Sequence, residues 1–362
     1  MELGLSGSSR FSKRIFSDVP WALLLVALGI AALGVWNLAS ASRSAHAAVW
    51  RSQLAWMGVG LALCALTCVL DYRYLLNLAY PIYAVLIVML VLVLVKGRAI
   101  MGAQRWLELG PLRLQPSELM KIGIILTMAR FFHEDRERTS YGLADLWMPA
   151  LLLLVPVALV MKQPDLGTAM LIASCAGTMI LFSRVRWKTL ATLAVGFVGV
   201  SIVAWNHVLK DYQKKRVLTF LDPEGDTLGA GYHASQSLIA VGSGQGWGKG
   251  WGEGTQTQLS FLPEQHTDFI FSVWGEEHGF AGAMVLLGLY MLLLLLCIGV
   301  AASAREKFGS YLCVGVAGMI FWHVFINIGM VTGVLPVVGV TLPLMSYGGS
   351  SVITVMLGLG LL

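Results

Sequence analysis

Long apolar runs joined by short polar connections make up this chain, and the pattern is interrupted once, by the polar segment from Lys210 to Asp268. The runs cover approximately residues 20–41, 53–70, 74–96, 118–133, 147–162, 166–183, 188–207, 269–300, 309–331 and 346–362. About 20 apolar residues carry a helix across the ~30 Å hydrocarbon core of a bilayer, whereas a barrel strand needs only about half as many. The pattern therefore predicts an all-α, polytopic integral membrane protein with ten transmembrane helices and a large extracytoplasmic loop between helices 7 and 8. Residues 1–19 are expected to form a cytoplasmic N-terminal segment. Residues 20–362 form a single transmembrane domain that includes the extracytoplasmic loop 208–268.

Composition strengthens this picture. The chain is 57% hydrophobic and 12% charged, with mean hydropathy +0.75, against roughly 25% charged residues in soluble domains. Ala39-Ser40-Ala41 resembles a signal-peptidase site, but the preceding apolar run exceeds the about 7–15 residues usual for a signal sequence, so an uncleaved first helix is expected. Cys64, Cys68, Cys175, Cys297 and Cys313 all fall inside apolar runs, where cysteine behaves as a small hydrophobe. No disulfide or metal cluster is expected from them. The alternating glycines Gly242 to Gly250 lack the spacing of a phosphate-binding loop, because Gly248-Lys249 is followed by glycine and not by Ser or Thr. Nucleotide binding and nucleic-acid binding are excluded. Glycines in this pattern predict irregular backbone or close approach by another backbone.

Charge sets an orientation. Arg10, Lys13 and Arg14 precede the first span, and an even number of spans places both termini in the cytoplasm. The outer side nevertheless carries about half of the 25 basic residues. Long loops translocate regardless of charge, which accounts for Lys210, Lys214, Lys215, Arg216 and Lys249. Arg98, Arg105, Arg113 and Lys121 cluster around a short outer loop, and two readings stay open: an anionic ligand at the outer face, or contact with lipid headgroups or an acidic partner surface.

Several polar residues sit within or beside the spans. Glu118 and Lys121 share a face of the fourth, Asp165 follows Gln163-Pro164 between the fifth and sixth, and Ser117 is placed to cap the fourth after Pro116. Internal pairing and function are both open for Glu118, Lys121 and Asp165. For Glu277, and for His323 and Asn327 four residues apart, internal bonding between helices is expected. Asp268 is the sharpest case: a carboxylate where a polar loop enters an apolar helix needs a partner or a task. A simple helix-start role is the alternative, with Pro263 as a helix starter.

At these residues the chain resembles the SEDS family (shape, elongation, division and sporulation), and within it the RodA type of peptidoglycan polymerase. The stretches that carry the resemblance are Gly102 to Glu118 (GAQRWLELGPLRLQPSE), Gln163 to Ala169 (QPDLGTA), Asp211 to Pro223 (DYQKKRVLTFLDP), Gly229 to Gln236 (GAGYHASQ), Gly248 to Gly279 (GKGWGEGTQTQLSFLPEQHTDFIFSVWGEEHG) and Asn327 to Ser350 (NIGMVTGVLPVVGVTLPLMSYGGS). The resemblance implies ten helices and a glycosyltransferase that polymerises lipid II at the outer face of the cytoplasmic (inner) membrane, with undecaprenyl diphosphate leaving. It also implies a class B penicillin-binding protein transpeptidase as partner. The catalytic aspartate of the motif falls on Asp268, and Arg105, Glu118, Lys121, Asp165, Gln213, Arg216 and His266 inherit places in or beside the substrate cavity. His278 departs from the pattern, where relatives often have Leu, without touching the expected mechanism. A divalent cation, Mg or Mn, on Asp268 is left open as a cofactor. A lipid II flippase and a noncatalytic scaffold for the transpeptidase are the competing functions.

Overall fold

The computed structural model describes residues 19–43, 49–100, 103–109, 112–135, 138, 140–209, 211–222, 230–259, 261–262 and 264–362. The side chains of Arg98 and Arg216 also lie outside the described residues, as does Pro263, the expected helix starter. Among the described residues the helices are α1 (Trp21–Ala41), α2 (Val49–Val69), α3 (Tyr72–Lys96), α4 (Pro116–Glu134), α5 (Trp147–Lys162), α6 (Leu166–Phe182), α7 (Trp187–Val203), α8 (Asp211–Leu221), α9 (Ala230–Ser243), α10 (Thr255–Gln258), α11 (Ile270–Ser303), α12 (Lys307–Val331) and α13 (Gly349–Gly360). Each of the ten apolar runs coincides with one of them. Seven are long and apolar enough to cross a membrane. Of the other three, α6 and α13 are shorter, and α4 carries Glu118, Lys121, Arg130 and Glu134.

The bundle is built around α12 and α4, whose residues are mostly buried, while α7 is almost entirely exposed at the periphery. Small residues let these helices approach closely, as is usual where lipid removes the hydrophobic drive for helix association. Gly315 of α12 faces Ile125 of α4, and Gly318 faces Thr178 of α6. Gly360 of α13 lies so close to α2 that an added Cβ would stand 2.0 Å from the Thr67 Oγ1.

Two regions depart from a purely helical reading. The outer loop after α3 forms a small antiparallel sheet, β1 (Arg98–Ile100), β2 (Ala103–Leu109) and β3 (Leu112–Leu114), with Glu108 opposite Arg113. The polar segment before α11 contains α8, α9 and α10. Ser117, expected as the cap of α4, is the second helical residue; Gln115 holds the N-cap position and the buried Ser117 hydroxyl has no hydrogen-bond partner. Pro116 at the first helical position accounts for the shift, since its fixed φ starts the helix and its missing N–H is no loss there.

The alternating glycines meet a second backbone, as their spacing predicts. Helix α11 is broken at Gly279 (φ 63°, ψ −162°), which strands the carbonyls of Glu276 and Glu277 and the amides of Phe280 and Ala281. The glycine loop repairs the break. Lys249 N–H donates to Glu276 O and Gly250 N–H to Glu277 O, both at 3.0 Å, while Phe280 and Ala281 donate to Gln245 O and Gly246 O at 2.8 and 2.9 Å. Cβ atoms at Gly244 and Gly248 would lie 2.0 and 2.2 Å from the carbonyl oxygens of Gly275 and Glu277, so only glycine permits this approach.

Candidate active site

Asp268 lies in the turn that leads into α11, two residues before the helix begins, with its side chain half-buried. The turn is held through its main chain. Tyr347 N–H donates to His266 O at 2.8 Å, the Ser346 hydroxyl to Thr267 O at 2.6 Å, and the Asn327 amide to Asp268 O at 2.8 Å. Three successive carbonyls are thus fixed by α12 and by the segment before α13. Asn327 spends its second N–H on Val340 O at 2.6 Å, and the Ser346 hydroxyl accepts from Leu342 N–H, so both clamps are themselves clamped. Gln53 of α2 adds a donor to Ser346 O at 2.9 Å and accepts from Gly348 N–H at 3.3 Å.

Glycine makes room for the carboxylate. Gly339 has φ +75°, and a Cβ there would sit 3.2 Å from the Asp268 Oδ2. On its other side the same segment meets α6, where a Cβ on Gly167 would stand 2.7 Å from Val338 O. Two glycines therefore connect the Asp268 turn to the first turn of α6. That turn is capped by Asp165, whose Oδ1 accepts Thr168 N–H at 3.2 Å. The other oxygen, Oδ2, accepts from the Gln115 amide at 3.2 Å and lies 3.9 Å from Arg105 Nε. Arg105 also donates to the carbonyls of Gln163 and Pro164. Its side chain remains about one-third exposed, which leaves part of the guanidinium open.

Glu118 and Lys121 form a separate cluster within the bundle. The Lys121 ammonium donates to both Glu118 oxygens at 2.8 Å and to His323 Nε2 at 2.8 Å. Because Lys121 can only donate, His323 Nε2 is the acceptor and the ring proton resides on Nδ1, which donates to Met319 O at 2.8 Å. Lys121 is 1% exposed and its three protons are all engaged. His323 and Asn327, one turn apart on α12, thereby join this cluster to the Asp268 turn. The internal bonding expected of that helix face is present.

His266 is half-buried, and its Nδ1 is buried without a hydrogen-bond partner. Burial pulls its pKa below the ordinary histidine value, with Glu264 opposing in part. Gln213 is buried on α8. Arg216 lies on the same helix, its side chain outside the described residues. Glu276 of α11 is fully enclosed: Lys249 Nζ donates at 2.7 Å, Thr255 Oγ1 at 3.2 Å, Gln256 N–H at 3.0 Å, and the Thr257 N–H and hydroxyl at 3.3 and 3.1 Å. It locks the glycine loop onto α11. Glu277 beside it accepts from the Ser40 hydroxyl of α1.

Among the described residues no group of three or more His, Cys, Asp or Glu is placed to hold a metal ion. The amides and the hydroxyl that hold the Asp268 turn bond to its main-chain carbonyls, and no step of the reaction is routed through a metal ion.

Fold and site together define a polytopic helical membrane protein with a partly exposed carboxylate and guanidinium held at one end of the bundle. The chain belongs to the FtsW/RodA/SpoVE family of cell cycle proteins, whose sequence profile matches residues 18–362. It is 41% identical over 357 residues to the peptidoglycan glycosyltransferase MrdB of Escherichia coli K12, covering 97% of this chain and 94% of that protein. It is 31% identical over 421 residues to the peptidoglycan glycosyltransferase RodA of Treponema pallidum, covering 96% and 97%. Among solved structures it is similar to a chain from a peptidoglycan synthase complex described as coordinating polymerization and crosslinking, with TM-score 0.81, 36% identity, and 95% and 96% of the two chains covered. The rod shape determining protein RodA of Thermus thermophilus matches with TM-score 0.71 and 34% identity over 95% of each chain.

Proposed function

We propose that this protein is a peptidoglycan glycosyltransferase of the RodA type that polymerises lipid II during cell elongation. The observation that carries the reading is Asp268: its half-buried carboxylate stands beside Gly339 while three adjacent carbonyls are fixed by hydrogen bonds, so a reactive group is held on rigid backbone. In the reaction an acceptor sugar hydroxyl attacks the anomeric carbon of a lipid-linked disaccharide. The new C–O bond forms as the bond to the diphosphate oxygen breaks, the electron pair leaves with undecaprenyl diphosphate, and Asp268 takes the hydroxyl proton. A positioned base of this kind contributes about 10² to 10⁴ in rate. The leaving group is already an anion, so the site needs positive charge in place of a second carboxylic acid.

Arg105 is the described cation best placed to supply that charge, since Asp165 and two carbonyls orient its guanidinium and leave an edge exposed. Arg216 is assigned the same task on the strength of its motif. Lys121 takes a different part in this scheme: with its protons on Glu118 and His323 it fixes α4 against α12, behind the Asp268 turn. The proposed setting is the cytoplasmic membrane, crossed ten times, with both termini inside and Asp268 outside. A class B penicillin-binding protein supplies the cross-linking. Support for that partner comes from the similarity to a chain of a synthase complex that joins polymerization to crosslinking.

Purified protein given lipid II in detergent tests the reading, because detergent abolishes sidedness. Glycan strands should form with the wild type, and Asp268→Ala should fold normally and lose the activity. Unchanged lipid II with the folded wild type would point to a flippase. Unimpaired cell growth with Asp268→Ala, provided the transpeptidase complex assembles, would point to a scaffold.

A further inference from the structure

The Asp268 end of the bundle carries a second, separate group of side chains. Trp36 near the end of α1 stacks on Trp251 of the glycine loop, with ring centroids 6.2 Å apart and planes 7° from parallel. Trp251 Nε1–H donates to Trp36 O at 3.2 Å. Beneath them, His278 stacks on Trp274 at 3.9 Å and approaches Trp36 at 5.0 Å. Arg43, two residues past the end of α1, holds its guanidinium carbon 4.8 Å from the centre of the Trp251 ring. At the neighbouring start of α2, Arg51 lies 5.3 Å from the Trp50 ring. Both arginines are exposed, and no carboxylate among the described residues lies within ion-pairing distance of either.

Four other basic residues of this face are paired with carboxylates. Arg105 is paired with Asp165, Arg113 with Glu108, Lys121 with Glu118 and Lys249 with Glu276. Arg43 and Arg51 each hold a guanidinium against an aromatic face, with the buried Glu277 as a more distant charge partner of Arg43, and a guanidinium on a ring face keeps its N–H edge for a further acceptor. The aromatic platform is fixed, because the glycine loop is built into the break of α11 by four main-chain hydrogen bonds. Its indoles are partly bare nonetheless: Trp36 is 44%, Trp251 37% and Trp247 87% exposed. The loop runs beside the first three turns of α11, and indoles near the end of a membrane-spanning helix are the side chains enriched at the lipid–water interface. Gln265 and Gln258 bond to the carbonyls of Ala41 and Ser40, placing the group on the Asp268 face.

From this geometry we infer that Arg43, Trp36 and Trp251 form a binding site for an anionic phospholipid of the leaflet on the Asp268 side. Arg43 donates to the headgroup phosphate, the stacked indoles cover the glycerol and upper acyl chain, and Arg51 adds charge to the same rim. The site is distinct from the catalytic cleft. It rests on the chain being membrane-embedded and not on its reaction.

The test uses the full chain purified in detergent, titrated with phosphatidylglycerol or phosphatidylcholine and followed by thermal melting and by counting retained lipids with native mass spectrometry. Phosphatidylglycerol should stabilise the wild type and be retained in preference to phosphatidylcholine, and added salt should weaken it. Arg43→Gln should bind it about fivefold more weakly, the effect of one basic residue at a lipid surface. Trp251→Leu should reduce retention while keeping the salt dependence. Equal response of the wild type to the two lipids overturns the inference without any variant, and so does unchanged retention in a folded Arg43→Gln. Equal protection by soluble glycerol phosphate overturns the lipid assignment in favour of a free-phosphate site.

Discussion

The side-chain amide of Asn327 donates to the main-chain carbonyl of Asp268 at 2.8 Å and to that of Val340 at 2.6 Å. One side chain from the central helix thus ties the Asp268 turn to the Gly339 segment on which its carboxylate lies. The consequence is positional: Asp268 can move only if α12 or the 338–347 segment moves.

Asn327→Ala should therefore lower activity without removing the base. It leaves two carbonyls without their amide donor, at a cost of about 1–3 kcal/mol of stability for the stranded groups. Misplacement of a reacting group by about 1 Å can cost about 10² in rate. The expected result is a polymerisation rate down by about one to two orders of magnitude with a modest fall in melting temperature, read by glycan gels and melting in detergent. Wild-type activity in the folded variant would remove Asn327 from the positioning role.

Gly339→Ala should act on the same carboxylate by steric means. The residue has φ +75° and its Cβ would press on Asp268 Oδ2 at 3.2 Å; the left-handed backbone alone costs a non-glycine residue about 1–2 kcal/mol. Activity should fall by more than the stability loss explains. Gly333→Ala is the control, since its φ of +69° carries similar strain while the atoms nearest its Cβ would be those of the Leu238 side chain.

Lys121→Met should be the most destabilising of these changes. It strands the Glu118 carboxylate, which is 7% exposed, and removing one partner of a buried pair costs about 3–5 kcal/mol. The double variant Glu118→Leu with Lys121→Met should recover much of that loss, because no charge is then left alone. A melting series in detergent decides it; a double variant no more stable than Lys121→Met would show that the pair's environment, and not the stranded charge, sets the cost.

His266 gives a pH dependence with a definite sign. Its folded pKa lies below the unfolded value of about 6.5, so the unfolded chain binds the proton more readily. Stability from this group is full above about pH 6.5, falls as the pH drops below that value, and levels off below the depressed folded pKa. Melting temperatures from pH 7.5 to 5 should show this slope in the wild type and a shallower one in His266→Gln. Identical slopes would show that His266 does not titrate between the two states.

How much was legible in advance varies by residue. The apolar runs mark helices, of which seven among the described residues are long enough to cross a membrane, because consecutive apolar side chains must be buried or bathed in lipid, a requirement written in the local sequence. Three-residue spacing places Glu118 and Lys121 on one helix face but left open whether they pair or act, and the alternation of Gly244 and Gly248 marks the close approach of another backbone. The small sheet after α3 was missed: its strands span three to seven residues, too short to display a period beside such strong helical signals. Ser117 misled because a hydroxyl one place inside the helix looks the same in sequence as one at its cap.

Local spacing also stops short of the site itself. Asp268 could be marked as a carboxylate at a membrane boundary, but Asn327, Ser346, Tyr347 and Gly339, which fix its backbone and shape its surroundings, come from 59 to 79 residues further along the chain. Hydrogen bonds and glycine contacts across such separations depend on which helix faces meet, and that is settled by packing of the whole bundle. The sequence alone determined a helical membrane protein and its charged candidates. The tertiary structure decided which of those charges neutralise one another inside and which stay partly exposed, because only close packing sets the distances over which ion pairs and hydrogen bonds act.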